Sequence, residues 1–408
     1  MSPHCLDSAG RKLGLLAVPP PYRSWLTISN DPDFTTIERW RQLHHLIWEE
    51  LQLPFADAFF ISNHNETLPE QVNVRDYPEI LQAHPHDTMH TWGDYQDSRS
   101  HRFCREDAEQ GCEILQHHNI VPRVWTDHSN FSGNLIHRAN RKAIPLSVDS
   151  SGHEYPNYEY MLDLVHAVGV RYIWDGKLTK TIGQDRHVSL LEWYAARSSN
   201  RWISLARAVA DVVAKPLWRV VDARAFDYVP VNNRQYEPHS FPDGQTFYRF
   251  ARYGQWPHAD IDGLSTVLAR DFIDRLLTIG GTCVVYTHLG KPRADRVDDP
   301  QHVPPSTVKA LEYLAQLYRR QDLMLSGTAQ LLDYLVLRNH VEISNRIDFR
   351  PDGVRFETLT PADLAGFSFG VHSDSGDFKV SCLGEPTSCR IEQFGKRIYC
   401  VTFPGKDE

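Results

Sequence analysis

Short apolar runs alternate with polar loops and amphipathic stretches along this chain, and that alternation limits the fold more than any other feature. "WLTIS" (25–29) reads as a strand and runs into the polar loop "NDPDFT". An amphipathic helix follows from Thr36 to about Leu51, with Ile37, Trp40, Leu43, Ile47 and Leu51 at spacings of three and four. "FADAFFIS" (55–62) reads as the next strand and Tyr77 to Ala83 as a short helix. A helix over 104–117 leads to the strand "VPRVWT" (121–126), and "YMLDLVHAVG" leads to "RYIW" (171–174). The helix over 264–280 leads to "GTCVVYTHLG", and two more helices follow, "PPSTVKALEYLAQLYRR" and "TAQLLDYLVLRNH". Such alternation implies parallel strands with helical crossovers, in a barrel or an open α/β sheet. Polar clusters fall at the C-terminal ends of the strands, where α/β folds place their sites.

The rhythm changes twice. Residues 187–263 hold the helical "LLEWYAARSSNRWISLARAVADVV" and the loop-rich "VNNRQYEPHSFPDGQTFYRF", read as an elaboration over the mouth of the site. From 341 on, short alternating strands with Pro-Asp-Gly and Gly turns predict a small β-sandwich over 341–408. The expected division is an N-terminal extension at 1–21, an α/β domain at 22–340 and the β domain.

Composition excludes several function classes. Formal net charge is −9, without the clustered Lys and Arg of a nucleic-acid binder. No run approaches the roughly 18–20 apolar residues of a membrane span. "LGLLAV" near the N-terminus is too short for the core of a signal peptide, so a cytoplasmic location is expected. The 7 Cys are scattered with no Cys-x-x-Cys, which argues for free thiols rather than a thiolate zinc site. Aromatic residues sit in polar segments such as "HEYPNYEYM" and "YRFARYGQWPH", which would suit the faces of sugar rings. Core filling is the plainer account of any one of them.

"HPHDTMHTWGDY" (84–95) concentrates His84, His86, His90 and Asp94, with Asp87 beside them. His90 and Asp94 are four residues apart, so one helical turn would place both on the same face. Imidazole plus carboxylate suits zinc or another first-row divalent ion. A chain with 21 His produces such spacings by chance, so the order of the other polar clusters has to carry weight.

That order resembles the polysaccharide deacetylase family (NodB homology domain, carbohydrate esterase family 4). His90-Thr91-Trp92-Gly93-Asp94 resembles the family's second motif, whose outer residues bind metal, so the resemblance carries that role onto His90 and Asp94. The family's first motif, Thr-Phe-Asp-Asp-Gly-Pro, falls on "LTISNDPDFT", where Ser29 and Asn30 replace the two aspartates. The acidic pair then shifts to Asp31, as base, and Asp33, as metal ligand. Asn and Asp also cap helices well, which is the alternative reading of "NDPD". "VPRVWTDHSN" stands where the family has a motif with an Arg that orients the base, making Arg123, Asp127 and His128 candidates for that role or for substrate contact. "IWDGK" resembles a fourth motif and contributes Trp174 and Asp175. "CVVYTHLGKP" resembles the last, with His288 as general acid. The resemblance leaves His84 and His86 outside the ligand set.

The resemblance, which spans roughly residues 22–335, implies a distorted (β/α)7-type, NodB-like barrel and says nothing of 341–408, where the strand pattern alone predicts the small C-terminal β-sandwich. It implies a hydrolase that removes an acyl group, acetyl first, from a saccharide or related small molecule, and charge and hydropathy predict neither nucleic acid nor membrane as partner. The implied cofactor is a divalent ion, zinc first, with cobalt, nickel or manganese as alternatives. Two other readings stand beside it. One is a glycoside hydrolase or lyase that pairs Asp31 or Asp33 with Asp127 or Asp175. The other is a non-catalytic carbohydrate-binding barrel with a decayed first motif, in which Asp31 and Asp33 would face away from His90.

Overall fold

The computed structural model describes residues 18–83, 85–95, 98, 100–127, 135, 146–148, 154–156, 161–185, 188, 192, 202–203, 205–206, 209–210, 233–241, 244–254, 258–291, 303–344, 347–350, 353–365, 367–372, 379–393 and 398–404. His84, His128 and most of the stretch read as helical between 187 and 232 lie outside the described residues.

The chain is a mixed α/β protein built on parallel sheets. Its main strands are β1 (Ser24–Asn30), β2 (Asp57–Phe59), β3 (His86–Met89), β4 (Val124–Thr126), β5 (Tyr172–Trp174), β6 (Leu178–Thr179), β7 (Tyr236–Ser240), β8 (Thr246–Phe250), β9 (Arg252–Tyr253), β10 (Thr282–Thr287) and β11 (Leu323–Leu325). They form a five-stranded sheet, β6-β9-β10-β1-β11, and a six-stranded sheet, β7-β8-β5-β4-β3-β2. Every pairing is parallel except the β7–β8 hairpin. Only Ala251 separates β8 from β9, so the chain steps there from one sheet into the other.

The central strands are buried along their whole length, as expected for parallel strands covered on both faces. Alternate residues serve different cores. Leu26, Ile28, Cys283 and Val285 pack with Leu43, Ile47, Ile273, Leu276, Leu311 and Leu314 from the surrounding helices. Trp25, Val284 and Tyr286 point the other way, toward Trp174, Phe250, Leu331 and Leu335. Each such Leu, Ile or Val contributes about 1.5–3 kcal/mol by leaving water.

The covering helices begin where local chemistry places their caps. In α1 (Ile37–His44), the Thr36 hydroxyl accepts from the Arg39 N–H at 3.2 Å. The helix continues in π form over His45–Glu50, close to the expected end at Leu51. In α2 (Arg105–His117), the Asp107 carboxylate reaches back to the Cys104 N–H at 2.8 Å, half of a capping box. Then come α3 (Leu162–Ala167), α4 (Arg270–Ile279), α5 (Pro305–Arg319) and α6 (Thr328–Ser344). Among the described residues, no helix is long and apolar enough to cross a membrane.

Four expectations need adjustment. The segment 86–94 is not a helical turn: His90 follows strand β3, and Gly93–Asp94 pairs in parallel with Ser62–Asn63. Thr91 turns the chain with φ +60°, and a Cβ at Gly93 would meet Ser62 Oγ at 2.5 Å and its carbonyl oxygen at 2.8 Å. The helix read over 264–280 breaks after Val267, because Ala269 is extended (ψ 144°), and resumes as α4. The helix expected over 77–83 shrinks to Ile80–Ala83. The segment read as an elaboration supplies β7, β8 and β9 to the two main sheets.

Beyond α6 the chain forms one sheet of four strands and one of three. They share a core of Val354, Phe356, Phe369, Val371, Val380, Val401 and Phe403. The cysteines at 104, 112, 283, 382, 389 and 400 are free thiols.

Candidate metal centre

Parallel strands bring their C-terminal ends to one edge, and the functional side chains follow from that register. Asn30 lies opposite Thr287, so the next residues, Asp31 and His288, emerge side by side. Met89 lies opposite Trp125, so His90 emerges level with Thr126. The Asp31 N–H donates to the Thr287 carbonyl at 2.9 Å, and the His90 N–H to that of Phe59 at 2.8 Å.

Asp31, Asp33 and His90 form a buried group that could hold a metal ion, with their ligand atoms all within 4.8 Å of one another. Asp33 is the hub. Its Oδ2 lies 3.0 Å from His90 Nε2 and 3.2 Å from His288 Nε2. The other nitrogen of His90 bonds the Thr126 hydroxyl, and a fixed second nitrogen orients an imidazole ligand. His90 Nδ1 is also 3.8 Å from Asp31 Oδ1.

Asp31 belongs to Arg252. The guanidinium Nη1 spans both carboxylate oxygens, at 2.9 and 2.8 Å, and the arginine side chain is fully buried. Its guanidinium lies 4.0 Å over the ring of Trp174, which stacks in turn on Tyr286. A buried cation is tolerated only when paired, and here a carboxylate and an aromatic face do that.

His288 completes the cluster. Its Nδ1–H donates to the Ala259 carbonyl at 2.7 Å, which leaves Nε2 facing Asp33, with the Tyr286 hydroxyl at 3.4 Å. Burial by itself lowers its pKa, but the bond to Asp33 and the charges of Asp33 and Asp31 outweigh burial and hold it above the ordinary histidine value. An imidazolium so placed can donate a proton.

Ser29 and Asn30, which the expected alignment set against two aspartates, are buried, and Asn30 has a structural duty. Asn30 Nδ2 donates to Asp57 at 2.7 Å and its Oδ1 accepts from the Leu289 N–H at 2.7 Å. One side chain thereby ties β1 to β2 and to the residue after His288.

The structure brings together Asp31, Asp33, His90 and His288, with Trp174 beside them. Asp94 is not in the ligand group; its Oδ2 accepts from Asn65 at 3.0 Å and Gln71 at 2.9 Å. Asp127 Oδ1 accepts from the Trp125 indole and the Leu135 N–H. Asp175 pairs with Arg249. Arg123 precedes β4, at the strand end remote from Asp127, and bonds Asp333 at 2.7 Å. Arg252 therefore holds the acid that Arg123 was expected to orient. The signal that could have found it is the pair Arg249 and Arg252 inside "YRFARY", an aromatic-rich strand-like run.

No protein-family model, curated protein or solved structure matches this chain.

Proposed function

We propose that this protein is a metal-dependent hydrolase that removes an acyl group, acetyl first, from a saccharide or related small molecule. The observation that carries the reading is a division of roles between two neighbouring carboxylates. Asp31 is neutralised by Arg252, whereas Asp33 is shared by two imidazoles. Carboxylate and imidazole donors fit a first-row divalent ion, so Asp33 and His90 would hold it, zinc first with cobalt, nickel or manganese as alternatives. Such an ion, when bound, polarises an amide or ester carbonyl and lowers the pKa of water.

The chain's own groups do the rest. Arg252 holds Asp31 in place through both carboxylate oxygens, and Asp31 takes the proton of the attacking water. His288, oriented through its Nδ1 by Ala259, gives a proton from Nε2 to the leaving amine or alcohol. A barrel of the NodB kind is supported by the step from sheet to sheet at Ala251 and by the Asn30–Asp57 bond across the opposite gap. The two small C-terminal sheets with their shared core support the β-sandwich reading.

The other readings fare less well. A binding-only barrel would have been favoured by Asp31 and Asp33 turning away from His90, and they converge on it. The carboxylate-pair glycosidase reading offered carboxylates such as Asp127 or Asp175 as partner; Asp127 Oδ1 accepts from Trp125 and Leu135, and Asp175 pairs with Arg249.

The test is acetate release from a panel of N- and O-acetylated sugars, with zinc, cobalt, nickel or manganese supplied. His288→Ala should retain the ion and lose about 10²–10⁴-fold in turnover, the usual contribution of a general acid. Undiminished turnover in that variant, or no acetate from any sugar with the ion bound, overturns the proposal.

A further inference from the structure

A second set of ligand-type side chains converges away from Asp31, Asp33 and His90. His64 follows the short strand Ser62–Asn63, His101 precedes α2, and Asp107 lies in the first turn of α2. Each offers a ligand atom, and all three atoms lie within 4.8 Å of one another. We propose that His64, His101 and Asp107 bind a second divalent first-row ion, zinc by ligand type, that pins the loop at 62–65 and the start of α2 behind the His90–Asp94 segment.

The donor set is the first argument. Two imidazoles and one carboxylate from three separate segments suit zinc, with a fourth position left for water. The surroundings are the second, because ligands are held in place by the bonds their remaining atoms make. Asp107 Oδ2 accepts from the Cys104 N–H at 2.8 Å and the Cys104 thiol at 3.4 Å, which leaves Oδ1 facing His101 Nε2 at 2.8 Å. The His64 N–H donates to the Asp94 carbonyl at 2.7 Å. The His64 ring packs against both Tyr95 and His101, with centroids 4.5 Å away in each pair, and Tyr95 and His101 are themselves 5.8 Å apart.

The third argument is an unmet need. His64 Nε2 is buried and has no hydrogen-bond partner among the described residues. A buried polar atom left so is destabilising, and an ion among these side chains would supply a partner. Burial, then the neighbouring His101, lowers the pKa of His64, which favours the neutral imidazole a metal requires.

A hydrogen-bonded stack of rings, with no affinity for metal, is the competing account. It is separated by metal content after zinc reconstitution and dialysis, in wild type, Asp33→Asn, His101→Gln and the double variant. The His101 side chain is 41% exposed, so His101→Gln spares the core, and His64→Gln serves as the second variant. Two ions in wild type, one in each single variant and none in the double variant uphold the site. A single wild-type ion that is lost in His101→Gln and His64→Gln but kept in Asp33→Asn also upholds it, and removes the metal from the proposed catalytic centre. Wild-type content in both histidine variants overturns the second site, and so does a chain that takes up no zinc. Cobalt gives an independent readout: His101→Gln should abolish one set of visible absorption bands and leave those that depend on Asp33.

Discussion

Arg252→Met would remove the cation that bonds both carboxylate oxygens of Asp31 and keep most of the arginine stem's volume. The two side chains are 0% and 2% exposed, so water cannot replace the lost charge without rearrangement. With charge centres about 4 Å apart and an effective dielectric constant of about 20, their attraction is about 4 kcal/mol. That falls within the roughly 3–5 kcal/mol measured when one partner of a buried pair is removed. Loss of the guanidinium over Trp174 adds about 0.5–2 kcal/mol. At about 2.1 cal/mol/K per residue over 408 residues, 4 kcal/mol lowers Tm by about 5 °C. The assay is calorimetry in chelator, with Arg252→Met, Asp31→Asn and the double variant forming a cycle. Because the penalty is an uncompensated charge, the double variant should recover most of it. An Arg252→Met transition within about 1 °C of wild type, or a double variant as unstable as the sum of the singles, refutes the pairing.

Two further predictions follow from buried carboxylates. Burial pushes the Asp57 pKa from 3.8 up to about 6, against the bonds from Asn30, Ala58 and Trp40 that pull it down. The folded chain therefore binds this proton more tightly than the unfolded chain. Its contribution is intact below about pH 4 and is lost as pH rises through about 6, about 3 kcal/mol in all. Asp57→Asn keeps an acceptor for Asn30 and should flatten Tm between pH 4 and 7; a variant that tracks wild type across that range contradicts it. Asp94→Ala should leave metal content unchanged but strand the amides of Asn65 and Gln71, at about 1–3 kcal/mol each. Metal loss equal to that of Asp33→Asn would show that Asp94 is a ligand after all.

Strand ends were legible in the sequence where strands are long. β1 and β10 are unbroken buried runs that stop at charged or titratable residues, so Asp31 and His288 could be located from pattern alone. Of the short strands, β2, β4 and β5 lay in readable apolar runs, and two others did not. β9 has two residues and β11 three, too few for any periodicity, and each exists only because a neighbour pairs with it. The His90–Asp94 spacing misled for a related reason. Four residues suit a helical turn, but a strand end, a tight turn and a second short strand also span four. The contact that decides between them, Gly93 against Ser62, comes from a segment about thirty residues away.

The missing arginine shows why sites are harder to read than folds. Two arginines competed for the same role, and nothing local separates them: Arg123 lies beside a strand and Arg252 begins one. The difference is which end of a parallel strand each occupies and which sheet it joins. Arg123 stands at the entry of β4, so it faces Asp333 on α6, remote from the polar edge. Arg252 sits two strands from β1 in the same sheet, with β10 between them, and its long side chain crosses to Asp31. Once Asp31 is buried at a strand end, electrostatics requires a cation within reach. A residue that meets that requirement must come from the same sheet or the facing one, near the same level. Both "VPRVW" and "RFARY" set an arginine among apolar neighbours, so the strand end and the sheet that each arginine occupies, not its local pattern, decide which one reaches Asp31.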